Sequence, residues 1–307
     1  MGKIDIKTNE YMRDATRFAD VFNYYLYDGR QVIKPEKLRE LSSSAVALPY
    51  GTERNSSEAV QKYRDVFKTL AAMEDDTAAY LLLGIENQAE EHTAMPVRNM
   101  LYDATQYARQ VEDAARSHLA ERKQNREKLE AGQPVEGEKI SSGEFLSGFY
   151  KSDKLLPVIT LVIYWSPDEW NAPRSIHEML ALPDKELLKF LPDYRINLIS
   201  PKEIDDMNFE KFHSEMAEAL QYIKYSKDKA NLERVINENP KFKHLDRRTA
   251  EVVNVVTNSN LKFEDGETEV NMCVALEEMK KESEQNSKLE DIKNIMKNLQ
   301  MTFTKQN

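Results

Sequence analysis

Tyr80-Leu81-Leu82-Leu83-Gly84-Ile85-Glu86-Asn87-Gln88 is a nearly unbroken apolar run that ends in three polar residues. A run of this length and composition predicts a strand from Tyr80 to Gln88 that is buried on both faces. Side chains alternate along a strand, so Glu86 and Gln88 point the same way, at its carboxyl end. An unpaired carboxylate is costly to bury and must find a cation or lose its charge. A divalent metal would meet that need, and so would a salt bridge to a neighbouring base. A second strand is predicted from about Tyr63 to Ala71. It offers Asp65 in Tyr63-Arg64-Asp65-Val66-Phe67-Lys68, and if the two strands are neighbours Asp65 and Glu86 can converge on one ion. Such hard oxygen ligands favour Mg²⁺ or Mn²⁺.

Outward from this pair the pattern is mixed. A helix is expected from about Arg13 to Tyr27, with Phe18, Val21, Phe22 and Tyr25 on one face and Asp28-Gly29 as its stop. Pro96 suits the first turn of a long helix, because its missing N–H costs nothing there. Met100, Leu101, Ala104, Tyr107, Ala108 and Val111 share a face of that helix down to about His118. Residues 120–150 are charged and lack apolar rhythm, which reads as a mobile excursion or a frayed helix end followed by a loop. Leu155 to Trp165 (LLPVITLVIYW) is the strongest strand signal, and another strand is expected near Tyr194 to Ile199 after a short helix at Ser175 to Leu182. From Phe209 onward helices are expected at Phe209–Tyr225, Lys229–Glu238, Asp246–Asn258 and Val270–Glu284. A final stripe follows at Leu289, Ile292, Ile295, Met296 and Leu299. The fold class is therefore α/β with a helical C-terminal third, divided into a domain over 1–225 and a helical region over 226–307.

Composition sets the outer bounds. The 307 residues carry 53 acidic and 43 basic side chains, a formal net charge of -10. Glycine (9) and proline (11) are scarce, which argues against a turn-dense all-β or low-complexity chain. One cysteine, Cys273, rules out an intramolecular disulfide and the usual zinc-cysteine patterns. No signal-peptide core or membrane-length apolar window is present, so a cytoplasmic protein is expected. The five histidines are scattered, and no nucleotide-binding or serine-hydrolase motif occurs. The acidity argues at first against a nucleic-acid ligand. However, Ile223 to Arg248 holds eight bases, among them Lys224, Lys227, Lys229, Arg247 and Arg248, against four acids. That stretch is the candidate for backbone phosphate contact.

Four blocks in order carry a further resemblance: Asp65 in RDVFK, the strand-ending GIENQ, the AMPVRNMLYDATQY helix and LPVITLVIYW. Together they resemble the Rpn family of recombination-promoting nucleases, also described as transposases, in the PD-(D/E)XK nuclease superfamily. The resemblance spans roughly Asp14 to Ala275. It implies a restriction-endonuclease-like mixed central sheet flanked by helices, and Mg²⁺-dependent cleavage of double-stranded DNA. It gives Asp65 and Glu86 the metal-binding roles, and it sets Gln88 where most of the superfamily has lysine. An amide can orient a water but cannot neutralise charge as lysine does. Asp20 in FADVFN is the candidate additional acid, although at 100° per residue it lies off the Phe18/Val21/Phe22/Tyr25 stripe, to which Asp14 lies closer. Arg98, Tyr102, Thr105 and Arg109 form a polar flank of the helix after Gln88, where Arg98 and Tyr102 could meet a phosphate. The C-terminal stripe suits packing or self-association into a homo-oligomer. Members of the family often continue with a longer charged tail, so Asn307 reads as the end of a short form. The competing expectation is a nuclease-like fold without catalysis, serving as a DNA-binding or protein-interaction module.

Overall fold

The computed structural model describes residues 2–40, 66–71, 79–134, 140–181, 184–264, 266–281 and 285. In chain order the main helices and strands are α1 (Lys3–Met12), α2 (Ala15–Tyr27), β1 (Leu38–Glu40), β2 (Val66–Ala71), β3 (Ala79–Gln88) and α3 (Met95–Glu130). After these come α4 (Ser142–Ser147), β4 (Val158–Tyr164), α5 (Ile176–Met179), β5 (Asn197–Ile199) and α6 (Met216–Tyr225). The last are α7 (Lys229–Glu238), β6 (Leu245–Asp246), α8 (Arg247–Thr257) and β7 (Glu269–Val270), with residues 272–281 also helical. The fold is mixed α/β, and among the described residues no helix is long and apolar enough to cross a membrane.

The chain forms two compact units, neither continuous in sequence: Met1–Arg30 with Trp165–Glu169 and Ser200–Asn307, and Gln31–Tyr164 with Trp170–Ile199. The N-terminal helices thus belong with the C-terminal ones, and the expected division at 225/226 falls inside the first unit. In that unit Asp14 caps α2 by accepting from the Thr16 and Arg17 amides, and Phe18, Val21 and Phe22 are fully buried. Tyr25, expected on the same face, is 38% exposed. Asp28 and Gly29 end the helix with positive φ, and a Cβ on Gly29 would sit 2.7 Å from the Lys211 carbonyl oxygen. Only glycine fits there.

The second unit carries a five-stranded sheet in the order β1-β2-β3-β4-β5. β1, β2 and β3 pair antiparallel, whereas β3, β4 and β5 pair parallel, with α3 in the connection from β3 to β4. β2 to β5 match the expected strands within a few residues, whereas β1 was not expected. β2 and β3 are neighbours, and Val66 is the partner of Ile85. α3 runs antiparallel to β4. Met95 packs with Val162 and Tyr164, Asp103 accepts from Thr160 Oγ1 (2.7 Å), Tyr107 Oη accepts from the Val158 amide (3.0 Å), and Gln110 bonds both backbone groups of Leu156.

The helix does not bury the face that apolar periodicity suggested. Met95, Pro96, Asn99, Asp103 and Gln106 are buried, while Met100 and Leu101 are 41% and 45% exposed. A mostly polar stripe can face the sheet because β4 and its flanks supply hydrogen-bond partners for it. The helix also runs to Glu130, into the stretch expected to be mobile or frayed. Residues 141–156 return along it: His118 Nε2 lies 3.0 Å from both Asp153 oxygens, and its ring stacks on Tyr150. The stripe from Leu289 to Leu299 lies outside the described residues.

Candidate active site

The site is built where β3 ends and α3 begins. Parallel pairing sets Glu86 beside Val162 and Gln88 beside Tyr164, and partners in a ladder point to the same face. Two cross-links show that this face carries α3. Asp103 reaches Thr160, the partner of Gly84, and Arg98 reaches Glu86. The Glu86 side chain is only 3% exposed, and Arg98 Nη2 lies 2.9 Å from its Oε2. Gln88 Nε2 donates to the same oxygen at 3.4 Å, as expected for residues two apart on one face. Buried carboxylate, arginine and amide therefore meet at one strand end. A carboxylate so enclosed is tolerable because a guanidinium compensates it.

Around this trio the structure adds residues that the sequence reading did not single out. His92, in the turn before α3, has a pKa lowered by burial and then by the nearby Arg98 charge, and its Nδ1 is buried without a hydrogen-bond partner. Asn99 is completely buried, and neither its Oδ1 nor its Nδ2 has a partner. Deeper along the same stripe, Asp103 accepts from Tyr194 Oη at 2.6 Å as well as from Thr160. Burial raises the Asp103 pKa, and the two hydrogen bonds partly offset that rise. Burial and the neighbouring Asp103 charge likewise raise the Tyr194 pKa. The spacing of Asn99, Asp103 and Gln106 four and three residues apart was a usable signal. Counting apolar periodicity alone hid it.

The remaining candidates are distributed as follows. Asp65 lies outside the described residues. Asp20 is buried in the first unit, where its carboxylate accepts from the His213 and Ser214 amides (2.8–3.0 Å) and from Ser214 Oγ (2.6 Å). It caps the turn ahead of α6 and is neither solvated nor open to a ligand in this arrangement. Tyr102 is half-buried; Thr105 Oγ1 donates to the Leu101 carbonyl, and Arg109 pairs with Asp113 at 3.5 Å. In the basic stretch most cations already face acids. Lys224 lies 2.7 Å from Asp206, Lys227 2.7 Å from Asp168, Arg234 3.1 Å from Glu238, Lys241 3.4 Å from Glu218 and Arg247 2.9 Å from Glu251. Lys229 and Arg248 are exposed. Charge counted along the sequence thus overstates the positive potential of this stretch. Among the described residues no three His, Cys, Asp or Glu side chains cluster as a metal site.

Comparison with known proteins bears on one part of the chain. Residues 146–254 match the family described as "putative transposase, YhgA-like". That family belongs to the PD-(D/E)XK, Rpn-like group, so the match supports the resemblance drawn from the sequence. The YhgA-like segment includes β4 and β5 but begins after β3, and Glu86, Gln88 and Arg98 lie outside it. No curated protein and no solved structure matches the chain.

Proposed function

We propose that the protein is a metal-dependent DNA endonuclease with a restriction-endonuclease-like sheet. The observation that carries the reading is the buried Glu86 carboxylate at the end of β3, with Arg98 at 2.9 Å and Gln88 at 3.4 Å on the same oxygen. The YhgA-like match supports the same class, as does a mixed sheet whose β3 and β4 are joined through a helix. The donor chemistry fits Mg²⁺ or Mn²⁺, which take few carboxylates and keep several waters. Glu86 is the described ligand. Asp65 would be the second, since it directly precedes Val66, whose strand partner Ile85 directly precedes Glu86. Asp20 has no part in the proposal, because its oxygens serve the 213–214 turn.

A divalent ion held there would supply polarisation of the scissile phosphate and make a water more acidic. The chain's own residues do the rest. Arg98 holds Glu86 until substrate arrives and then offers its planar fork to a phosphate oxygen, which suits a bidentate contact. Gln88 orients the attacking water by hydrogen bonding, since an amide carries no charge to spend. Tyr102, one turn beyond Arg98, is the next side chain a phosphate would meet. Double-stranded DNA is the partner, and the exposed Lys229 and Arg248 are available for backbone contact beside Lys224, Lys227 and Arg247, which must exchange acids for phosphates. A homo-oligomer through the C-terminal helices and a cytoplasmic setting belong to the same proposal.

The direct test is Mg²⁺-dependent nicking of supercoiled plasmid. Wild type should cut, and Asp65→Ala and Glu86→Ala should each abolish cutting while the protein stays folded. Undiminished cutting by both variants refutes the assignment. One observation favours a second reading. Arg98 already neutralises Glu86, so a nuclease-like module without catalysis would be electrostatically complete. A protein that binds DNA equally with and without Mg²⁺ and never cuts it would establish that alternative.

A further inference from the structure

Three buried polar atoms on Asn99 and Trp170, in the unit that carries Glu86, lack hydrogen-bond partners. Asn99 has no solvent exposure, and both atoms of its amide are unsatisfied; Trp170 is 4% exposed, and its Nε1 is unsatisfied. Native structures rarely leave such groups unpaired, and the usual resolution is an enclosed water, which needs two to four polar partners. The contacts of α3 fix where these atoms lie. Met95 packs at the level of Val162 and Tyr164, and Asp103, eight residues later, bonds Thr160. Asn99 stands midway between them on the same buried face. A helix rises about 1.5 Å per residue and a strand about 3.3 Å, so Asn99 is level with Val162. Val162 is the ladder partner of Glu86, and Arg98, the residue before Asn99, already touches Glu86. Trp170 packs in the same cluster as Met95, Val162 and Tyr164.

We infer that Asn99 and Trp170 hold an enclosed water against the Glu86 carboxylate, and that Asn99 is a positioning residue which orients this carboxylate for a divalent cation. The inference rests on the metal-dependent reading of Glu86. Groups that orient a metal-binding side chain commonly change metal affinity ten- to a hundredfold when removed. Asn99 donates and accepts, so it fixes the water, and the water donates to Glu86 and sets the orientation of its carboxylate. Arg98 and Gln88 approach one oxygen from the front, while the water holds the carboxylate from behind.

The test compares wild type with Asn99→Leu, which keeps the branched shape and removes both polar atoms, and with Trp170→Phe, which removes the Nε1 donor. Asn99→Ser keeps a donor and an acceptor and serves as the conservative rescue. Mn²⁺ affinity is read by electron paramagnetic resonance without DNA, beside thermal unfolding without metal and plasmid nicking with Mg²⁺. Mn²⁺ Kd should rise about tenfold in Asn99→Leu and less in Trp170→Phe, and Asn99→Ser should stay near wild type. A residue that merely filled space would move thermal stability and leave Kd alone, so Kd values within twofold of wild type in both apolar variants overturn the inference. If wild type binds Mn²⁺ with this ranking but cuts no DNA, the nuclease reading fails and the positioning role stands. If wild type binds no Mn²⁺, both fail.

Discussion

Replacing Asp103 by alanine removes the acceptor shared by Tyr194 Oη at 2.6 Å and Thr160 Oγ1 at 2.7 Å, and Thr160 is only 1% exposed. A hydrogen bond to a charged group contributes about 1.5–3 kcal/mol, so the pair contributes about 3–6 kcal/mol. Part of that is offset, because burial penalises the Asp103 charge. The net loss at neutral pH should be about 2–4 kcal/mol, roughly 5–15 °C in Tm for a protein of this size. Asp103→Asn keeps one acceptor and carries no charge, so it should cost about 1 kcal/mol or less. The pH dependence has a definite sign. The folded pKa of Asp103 lies above the ordinary aspartate value of 3.8. Its contribution is therefore fully present below that value and is lost as pH rises through the folded pKa. Wild type should gain stability relative to Asp103→Asn as pH falls from neutral toward 3.8. Urea unfolding of wild type and both variants across that range measures all three quantities. A loss below about 1 kcal/mol in Asp103→Ala, or a wild type minus Asp103→Asn difference that stays flat with pH, would refute this account of the buried stripe.

Three other outcomes follow from the geometry. Asp20→Ala should lose about 2–4 kcal/mol by stranding the 213–214 donors, while the folded fraction keeps its Mn²⁺ affinity; loss of that affinity would restore Asp20 as a ligand. Gly29→Ala forces a side chain into positive φ and against the Lys211 carbonyl, and chemical denaturation should show a loss of about 1–3 kcal/mol. Glu144 is held down to about 2, first by the Lys151 amide and then by the Ser141 amide and hydroxyl. A depressed carboxylate contributes above its unfolded pKa, so the 141–151 turn should keep its order at neutral pH and loosen as pH falls from 4.5 toward 2. Hydrogen exchange should detect this loosening in wild type, and Glu144→Gln should lack the acid-dependent part of it.

Local sequence by itself determined β2 to β5 and most helices of this protein. An apolar run ending in Glu86 and Gln88, a β-branched run at 155–165 and a proline at the start of α3 each constrain their own backbone, whatever packs against them. Alternation alone also set Glu86 and Gln88 on one face, because side-chain direction in a strand is a local property. Tertiary structure decided which groups are paired. Asp20 and Glu86 are both acids beside apolar residues, yet one meets backbone amides 193 residues away and the other meets arginine and an amide at a strand end. It also decided which face of α3 turns inward. Apolar periodicity favoured Met100 and Leu101, but Asp103, Tyr107 and Gln110 accept hydrogen bonds from β4 and its flanks, and these hold the polar stripe against the sheet. Burying a satisfied polar group costs little, and whether it is satisfied depends on residues about 50 positions away in the chain.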